Sequence, residues 1–263
     1  MRLWYQSLAR DNQATPYGVL LKKVIASCVD AGTEVHIHGI AESAGIGVHY
    51  RVLEHHDTTE VIKNALRAEK EGYDAFLLGN ISDAGLAEAR EMVNIPCLGL
   101  CETSMHLACM MGESFGFVMI SRKWSARVLE NVRRCGLERR FAGAEPLDTS
   151  PLELRYADTR HREQIIARFT EAAERLLDRG AEVIIPGGGD IIAYLVEAGI
   201  YEIGRAPIVN GIIELVKMAE TAVKLKALTG RFTSRRLGYA TPSGDFLERI
   251  RSFYGPDVYP GAE

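Results

Sequence analysis

The sequence predicts an α/β protein with two pseudo-symmetric domains, each with a mostly parallel sheet flanked by helices, and with a cleft between them. Three observations favour this fold class. Residues 72–80 recur in outline at 180–188, and each copy runs from a glycine through an acidic residue and an apolar run to a turn of small residues. Both copies lead to a second apolar run that begins after a proline, Pro96 or Pro207. Strand-length apolar runs also alternate with helical patterns, which is typical of parallel sheets.

The first half of the chain is assigned from its hydrophobic periodicity and from the glycines that end helices. A strand at 2–8 precedes a helix at 17–31, which Gly32 ends. The elements that follow are a strand at 33–40, a helix at 58–71, a strand at 74–79, a helix from Ser82 or Asp83 to about residue 92, and a strand at 96–100.

The second half continues this alternation. Its predicted elements are a helix at 104–111, a strand at 114–120, a helix from about 125 to 135, a polar stretch that includes 148–151, an amphipathic helix at 160–179, a strand at 183–185, a helix at 191–198, a strand at 208–209 and a helix at 211–228. We expect a first domain of 1–100 plus 211–230, a second domain of 101–210, and an extended C-terminal tail at 231–263. Such a tail packs on its own body or on a neighbouring subunit.

Composition argues against several classes of protein. The 31 basic and 35 acidic residues give a formal net charge of −4 with both signs interspersed, so no basic face for nucleic acid is predicted. No apolar run approaches the roughly 18 residues of a spanning helix, and the first residues lack the pattern of a signal peptide. The five cysteines are odd in number and contain no Cys-x-x-Cys pair, which suits reduced thiols. We expect a cytoplasmic protein that binds neither nucleic acid nor membranes.

The turns that follow the predicted strands are the candidate binding positions. Small residues there let backbone N–H groups face a ligand, and each following helix adds its positive end, which suits a carboxylate or a developing oxyanion. The candidate substrate-binding residues are Ser7, Asn80, Ser82, Thr103, Ser121, Gly187, Gly188, Gly189 and Asn210. A tight turn that needs positive φ would explain the three glycines equally well.

Three residues at these turns are candidates for moving a proton: Asp190, Cys101 and Glu102. Each has a structural alternative. Asp190 could instead be an acidic residue that the helix dipole favours. Cys101 could be a small buried residue, and Glu102 could cap the following helix. The histidines show no metal-ligand spacing, so no metal site is predicted, and only His38 stands at a strand end.

Taken together, the two turns, the Asp-Ala-Gly-Leu at 83–86 and the Ile-Pro-Cys-Leu-Gly-Leu-Cys-Glu at 95–102 resemble the aspartate/glutamate racemase superfamily. The hydantoin racemase branch is the most similar, and the resemblance spans roughly residues 1–228. It implies two domains that face each other across a pocket. A cysteine from each half would lie on either side of the substrate's α-carbon, one removing a proton and the other returning one, without a cofactor.

This sequence departs from that pattern at both catalytic positions. Asn80 and Gly188 stand where the resemblance places the two cysteines. Neither side chain shuttles a proton near neutral pH, so two-thiol racemization is not expected. Relatives that keep one thiol decarboxylate arylmalonates, and Gly188 replaces that thiol as well.

We therefore expect a cofactor-independent enzyme, isomerase-like by kinship, that acts on a small carboxylate or a cyclic amide. A carbon–carbon lyase or decarboxylase, an amide hydrolase and a non-catalytic small-molecule-binding protein remain open alternatives on the same fold. Apolar helix faces and the tail at 231–263 favour a homo-oligomer.

Overall fold

A four-stranded parallel sheet forms the first half of the computed structural model, which describes residues 1–10, 15–42 and 50–262. Its strands are β1 (Arg2–Arg10), β2 (Glu34–Ile40), β3 (Ala75–Leu78) and β4 (Cys97–Gly99), in the order β2-β1-β3-β4. In the register of this sheet, Trp4 of β1 lies beside His36 of β2 and Phe76 of β3. Trp4 and Phe76 are fully buried, so the sheet centre is part of the core.

A second parallel sheet has three strands in the order β6-β5-β7. They are β5 (Phe115–Met119), β6 (Phe141–Pro146) and β7 (Val183–Gly187). A short antiparallel pair, β8 (Glu202–Ile203) and β9 (Ala206–Pro207), follows. Two parallel sheets, each flanked by helices, confirm the predicted α/β fold class.

Ten α-helices connect and cover the two sheets within the described residues. They are α1 (Pro16–Cys28), α2 (Arg51–Lys70), α3 (Leu86–Met92), α4 (Leu100–Met111), α5 (Arg122–Arg134), α6 (Pro151–Arg155), α7 (Thr159–Asp178), α8 (Gly189–Glu197), α9 (Gly211–Thr229) and α10 (Gly244–Tyr254). Helix α9 packs against β3 and β4 of the first sheet and also against α4 and α8. This late helix therefore contacts the first sheet as well as helices of the second half. Among the described helices, none is both long and apolar enough to cross a bilayer.

Several elements differ from the sequence prediction for identifiable reasons. Helix α2 begins at Arg51 instead of residue 58, because its first turns bury the polar residues Glu54 and Asp57 and so hide the apolar periodicity. The polar stretch after residue 135 contains β6, an edge strand whose residues are mostly half-buried. It also contains α6, which is too short to show a period and is set by the Ser150–Glu153 capping box. Of the strand predicted at 208–209, only an isolated bridge from Ile208 to Ile184 forms.

The C-terminal segment was expected to be extended, but residues 244–254 form α10. The segment packs on its own body at the end of α3. The Arg235 guanidinium donates to the carbonyl oxygens of Arg90 (2.6 Å) and Glu91 (3.2 Å) and to that of Val93. Tyr259 donates from its hydroxyl to the Glu91 carboxylate at 2.7 Å. These contacts satisfy carbonyls that the end of α3 would otherwise leave unpaired.

Candidate functional site

A cavity lies where the carboxyl ends of the two sheets meet. Residues from the ends of β1 and β3, from the turns after β5 and β7 and from α6 line it. The lining residues are Ser7, Leu8, Ala9, Tyr17, Gly79, Asn80, Ile81, Ile120, Trp124, Pro151, Arg155, Gly187, Gly188, Gly189 and Asp190. Asn80 and Gly188, which come from opposite sheets, therefore border one cavity. This is the position at which ligands bind in open α/β sheets.

Close packing explains two of the three glycines after β7. A Cβ on Gly187 would lie 2.2 Å from Met119 Sδ, and one on Gly189 would lie 2.5 Å from Tyr17 Oη. None of the three glycines has a positive φ. The alternative explanation, a tight turn that needs positive φ, is therefore wrong. Gly188 is different, because its φ of −178° is extended backbone and a Cβ there would lie 3.2 Å from the flexible end of Ile120. A side chain could stand at this position.

Asp190 lies in the first turn of α8 and is only 9% exposed. Its Oδ1 atom has no hydrogen-bond partner within the described chain. Burial raises the pKa of this carboxyl to about 6, while the charge of Arg155 and the residue's own backbone N–H act in the opposite direction. Asp190 is therefore a buried carboxyl at the cavity that changes charge close to neutral pH.

Arg155 is the last residue of α6 and is 8% exposed. Its Nε is buried without a hydrogen-bond partner among the described residues, and its charge acts on the Asp190 carboxyl. A buried N–H group that lacks an acceptor is unfavourable until a ligand or another group satisfies it. Sequence reasoning missed Arg155, because one basic residue in a polar stretch carries no signal.

Asn80 supplies a polar group on the side of the cavity that faces the first sheet. Its Oδ1 accepts a 2.9 Å hydrogen bond from the backbone N–H of Ser82, so the amide nitrogen is the group left to donate. Ser7 also borders the cavity, and its Oγ accepts from the backbone N–H of Ala9 at 3.1 Å. Trp124 also lines the cavity and was not predicted to do so. Its position shortly after the turn that follows β5 could have indicated it.

Four of the other predicted binding residues do not border the cavity. They are Ser82, Thr103, Ser121 and Asn210. The hydroxyl of Ser82 accepts from the backbone N–H of Ala84 at 3.3 Å, and Asn210 caps α9 by accepting from Ile213 at 3.2 Å. Ser121 is the residue before α5, and Thr103 lies on α4. Ser82 and Asn210 thus stabilise the turns around the cavity.

Cys101 and Glu102 lie in the first turn of α4, away from the cavity lining. Cys101 is fully buried, and burial raises the pKa of its thiol well above the usual range. Arg90 donates to both carboxylate oxygens of Glu102, at 2.7 and 3.0 Å. Burial opposes ionisation of Glu102, yet the hydrogen bonds and charge of Arg90 bring the pKa of this carboxyl below its usual range. The structure therefore brings Asp190 to the cavity and leaves these two outside it.

Residues 21–219 match the family model described as Asp/Glu/hydantoin racemase, which covers well over half of the chain. The chain belongs to this family. The resemblance seen in the sequence to the hydantoin racemase branch is thereby confirmed.

Individual relatives support the same assignment. A hydantoin racemase from Pseudomonas sp. (strain NS671) is 28% identical over 183 residues, which are 69% of this chain and 70% of the relative. The solved structure of allantoin racemase from Klebsiella pneumoniae has a TM-score of 0.78 at 21% identity and covers 94% of this chain and 97% of its own. A variant of arylmalonate decarboxylase has a TM-score of 0.54 at 16% identity over 84% of this chain and 94% of its own. The two solved structures establish the shared fold.

Proposed function

We propose that this protein is a cofactor-independent enzyme that moves a proton on a small carboxylate or cyclic amide bound in the cavity, and that Asp190 is the group that moves it. Two-thiol racemization is not the proposed reaction, because Asn80 and Gly188 carry no thiol. Kinship supports an isomerase-like activity, since the relatives include proteins named as hydantoin and allantoin racemases.

The observation that carries this proposal is the state of the Asp190 carboxyl. It is buried, its Oδ1 lacks a partner in the described chain, and its pKa is raised to about 6. It also lies two residues beyond Gly188, at the start of the same helix. A carboxyl with a pKa near the operating pH is suited to both removing and returning a proton.

The remaining groups at the cavity suit the charge that develops in such a reaction. Loss of a proton from the α-carbon leaves an enolate-like oxygen. The backbone N–H groups of the first turn of α8 and the amide nitrogen of Asn80 would donate to that oxygen. The protonated Asp190 would then return the proton to carbon. No role in the cavity is proposed for Cys101, Glu102, Ser82, Thr103, Ser121 or Asn210.

Exchange of the substrate's α-proton with solvent tests the proposal. The protein is incubated in D₂O with 5-substituted hydantoins, allantoin, amino acids and arylmalonates, and deuterium incorporation and CO₂ release are followed by NMR. We expect exchange with at least one compound and a loss of about 10²-fold or more in Asp190→Asn. The matched control is Glu214→Gln, which alters a carboxyl outside the cavity lining whose pKa burial raises to about 7.

Two results would count against this function. Binding without exchange or CO₂ release across the whole panel would favour a non-catalytic small-molecule-binding protein. Turnover that persists in Asp190→Asn and yields product with solvent oxygen would favour an amide hydrolase that uses another group.

We also propose the division into domains of 1–100 plus 211–230 and of 101–210, and a cytoplasmic homo-oligomer. The packing of α9 against β3 and β4 supports the first assignment. Exposed apolar side chains on several helices, such as Met110, Leu228 and Phe253, support self-association. Light scattering after size exclusion measures the number of subunits, and a monomer at all concentrations would contradict the assembly.

A further inference from the structure

We propose that the cavity selects ligands with an ionised carboxylate over neutral cyclic amides, and that Arg155 is the residue that makes this selection. This inference rests on the proposed function, which places the bound molecule in this cavity. It narrows the substrate to one of the two classes that the fold and the lining residues leave open.

Arg155 differs from three half-buried arginines in forming no ion pair with a carboxylate among the described residues, although its charge acts on Asp190 from a longer distance. The guanidinium groups of Arg90, Arg127 and Arg162 each form an ion pair with a carboxylate, those of Glu102, Glu54 and Glu197. Arg155 is buried to a similar or greater degree, yet its Nε atom has no acceptor in the described part of the chain.

A carboxylate is the group that completes this site. The planar guanidinium matches a carboxylate with two parallel hydrogen bonds, and such charge-assisted bonds are about twice as strong as neutral ones. A neutral cyclic amide would leave Asp190 as the counter-charge of Arg155, and below about pH 6 that carboxyl is mostly protonated.

The start of α8 adds a second attraction for a negative group. Gly188 occupies its N-cap position and has no side chain to accept from the first-turn N–H groups. Those donors and the positive end of the helix dipole lie at the same cavity as Arg155. Arg155 and the start of α8 thus both attract a negative group to one cavity while Asp190 is protonated.

Asp190 links this binding to pH. The groups that act electrostatically with its carboxyl are Arg155, Tyr5, Tyr17 and Tyr194. Burial raises the pKa of all three phenols above the usual range, so they stay neutral between pH 5 and 8. A bound carboxylate would repel the ionised form of Asp190. Carboxylate binding is therefore accompanied by uptake of a proton and weakens as pH rises.

Matched pairs of probes test the selection by titration calorimetry. Lactate is compared with lactamide and phenylacetate with phenylacetamide, because each pair differs by one charge, and hydantoin serves as the neutral cyclic amide. At pH 5.5 we expect each carboxylate to bind at least about tenfold more tightly than its amide and than hydantoin. Arg155→Gln should remove most of this preference, because only the start of α8 then attracts a negative group, and Arg155→Lys should retain more of it. Arg160→Gln removes an equal charge from an exposed position and should change nothing.

Asp190→Asn supplies a readout that does not depend on the folding of Arg155 variants. In the unmodified protein, carboxylate affinity should fall between pH 5.5 and 7.5, and in Asp190→Asn it should be independent of pH. The proposal is overturned if the amides or hydantoin bind as tightly as the carboxylates, if no carboxylate binds at millimolar concentration, or if Arg155→Gln keeps the preference.

Failure of this inference is distinguishable from failure of the proposed function. Selection by charge is read from binding alone and can hold without turnover. Conversely, α-proton exchange on hydantoins that is lost in Asp190→Asn, together with equal binding of both probe classes, would support the proposed function and reject a selective role for Arg155.

Discussion

The carboxylate of Asp83 accepts a 2.7 Å hydrogen bond from the backbone N–H of Glu102, in the first turn of α4. It accepts a second bond of 3.0 Å from the backbone N–H of Cys101. Asp83 ends the turn that carries Asn80, so these bonds fasten one wall of the cavity to the start of α4. A Cβ on Gly99 would lie 2.5 Å from the same carboxylate, which explains the glycine there.

Replacing Asp83 by alanine is expected to destabilise the protein by about 2–4 kcal/mol, because two buried N–H groups lose their acceptors. Urea denaturation followed by circular dichroism measures the change. Asp83→Asn keeps one acceptor and a residue that tolerates the positive φ of 51°, so its loss should be smaller. Glu88→Ala on exposed α3 surface is the control. Equal stability of the Ala and Asn variants would argue against a role for the remaining acceptor oxygen.

Asn131 of α5 is expected to hold the same turn from the side of the second sheet. Its amide nitrogen donates to the carbonyl oxygens of Ser82 (3.0 Å) and Ile81 (3.3 Å), and the residue is 2% exposed. Asn131→Leu should leave both carbonyls unpaired and cost about 1–3 kcal/mol. Hydrogen exchange at the backbone amides of 80–84 should become faster. Unchanged exchange there, despite a loss of stability, would show that the turn is held by other contacts.

Much of the fold was predictable because the strands are strongly apolar and glycines mark the helix ends. The turns after β3 and β7 could be placed for this reason, and with them Asn80, Asp190 and the glycine run. The sequence did not indicate whether the first turn of α4 faces the cavity. Helix α4 begins immediately after β4, so Cys101 and Glu102 turn away from the cavity, toward Asp83 and Arg90.

Residues that reach the cavity from a distance in sequence were the ones that could not be predicted. Arg155 comes from a five-residue helix that is defined by its cap and has no hydrophobic period. Tyr17 reaches the cavity because a glycine at 189 allows its hydroxyl to approach the backbone. Both depend on tertiary packing, which local patterns do not encode.

The raised pKa of Asp190 predicts a specific pH dependence of stability. Because this pKa is about 6 in the folded protein and near 4 in the unfolded chain, the folded state binds the proton more tightly. The stabilising contribution is therefore complete below about pH 4 and is lost as pH rises through 6. Relative to Asp190→Asn, the free energy of unfolding should fall by up to about 3 kcal/mol between pH 4 and pH 7.

Urea denaturation of both proteins at pH 4, 5, 6 and 7 measures this difference. Other carboxyls, including Asp83 with its own pKa raised to about 7 by burial, affect both proteins alike and cancel. A stability difference that stays constant with pH, or that grows as pH rises, would show that the folded protein does not hold the proton on Asp190.

Placing thiols at positions 80 and 188 is expected to create racemase activity. Asn80 and Gly188 border one cavity from opposite sheets, and the backbone of Gly188 is extended and accepts a side chain. Asn80→Cys with Gly188→Cys should therefore place a thiol on either side of a bound hydantoin. Because a positioned acid or base contributes about 10²–10⁴-fold, racemization should exceed that of the unmodified protein by at least about 10²-fold. Chiral chromatography of a 5-substituted hydantoin measures it.

The control pairs Asn80→Cys with Gly189→Cys. A Cβ at Gly189 would lie 2.5 Å from Tyr17 Oη, so this pair should gain nothing. Each single variant should also stay below the double variant, since one thiol acts on one face of the α-carbon and Asp190 would have to serve the other. A folded double variant that binds hydantoin yet leaves its configuration unchanged would mean that positions 80 and 188 do not flank the reacting carbon. In that case the absence of thiols at these two positions would not be what separates this chain from a racemase.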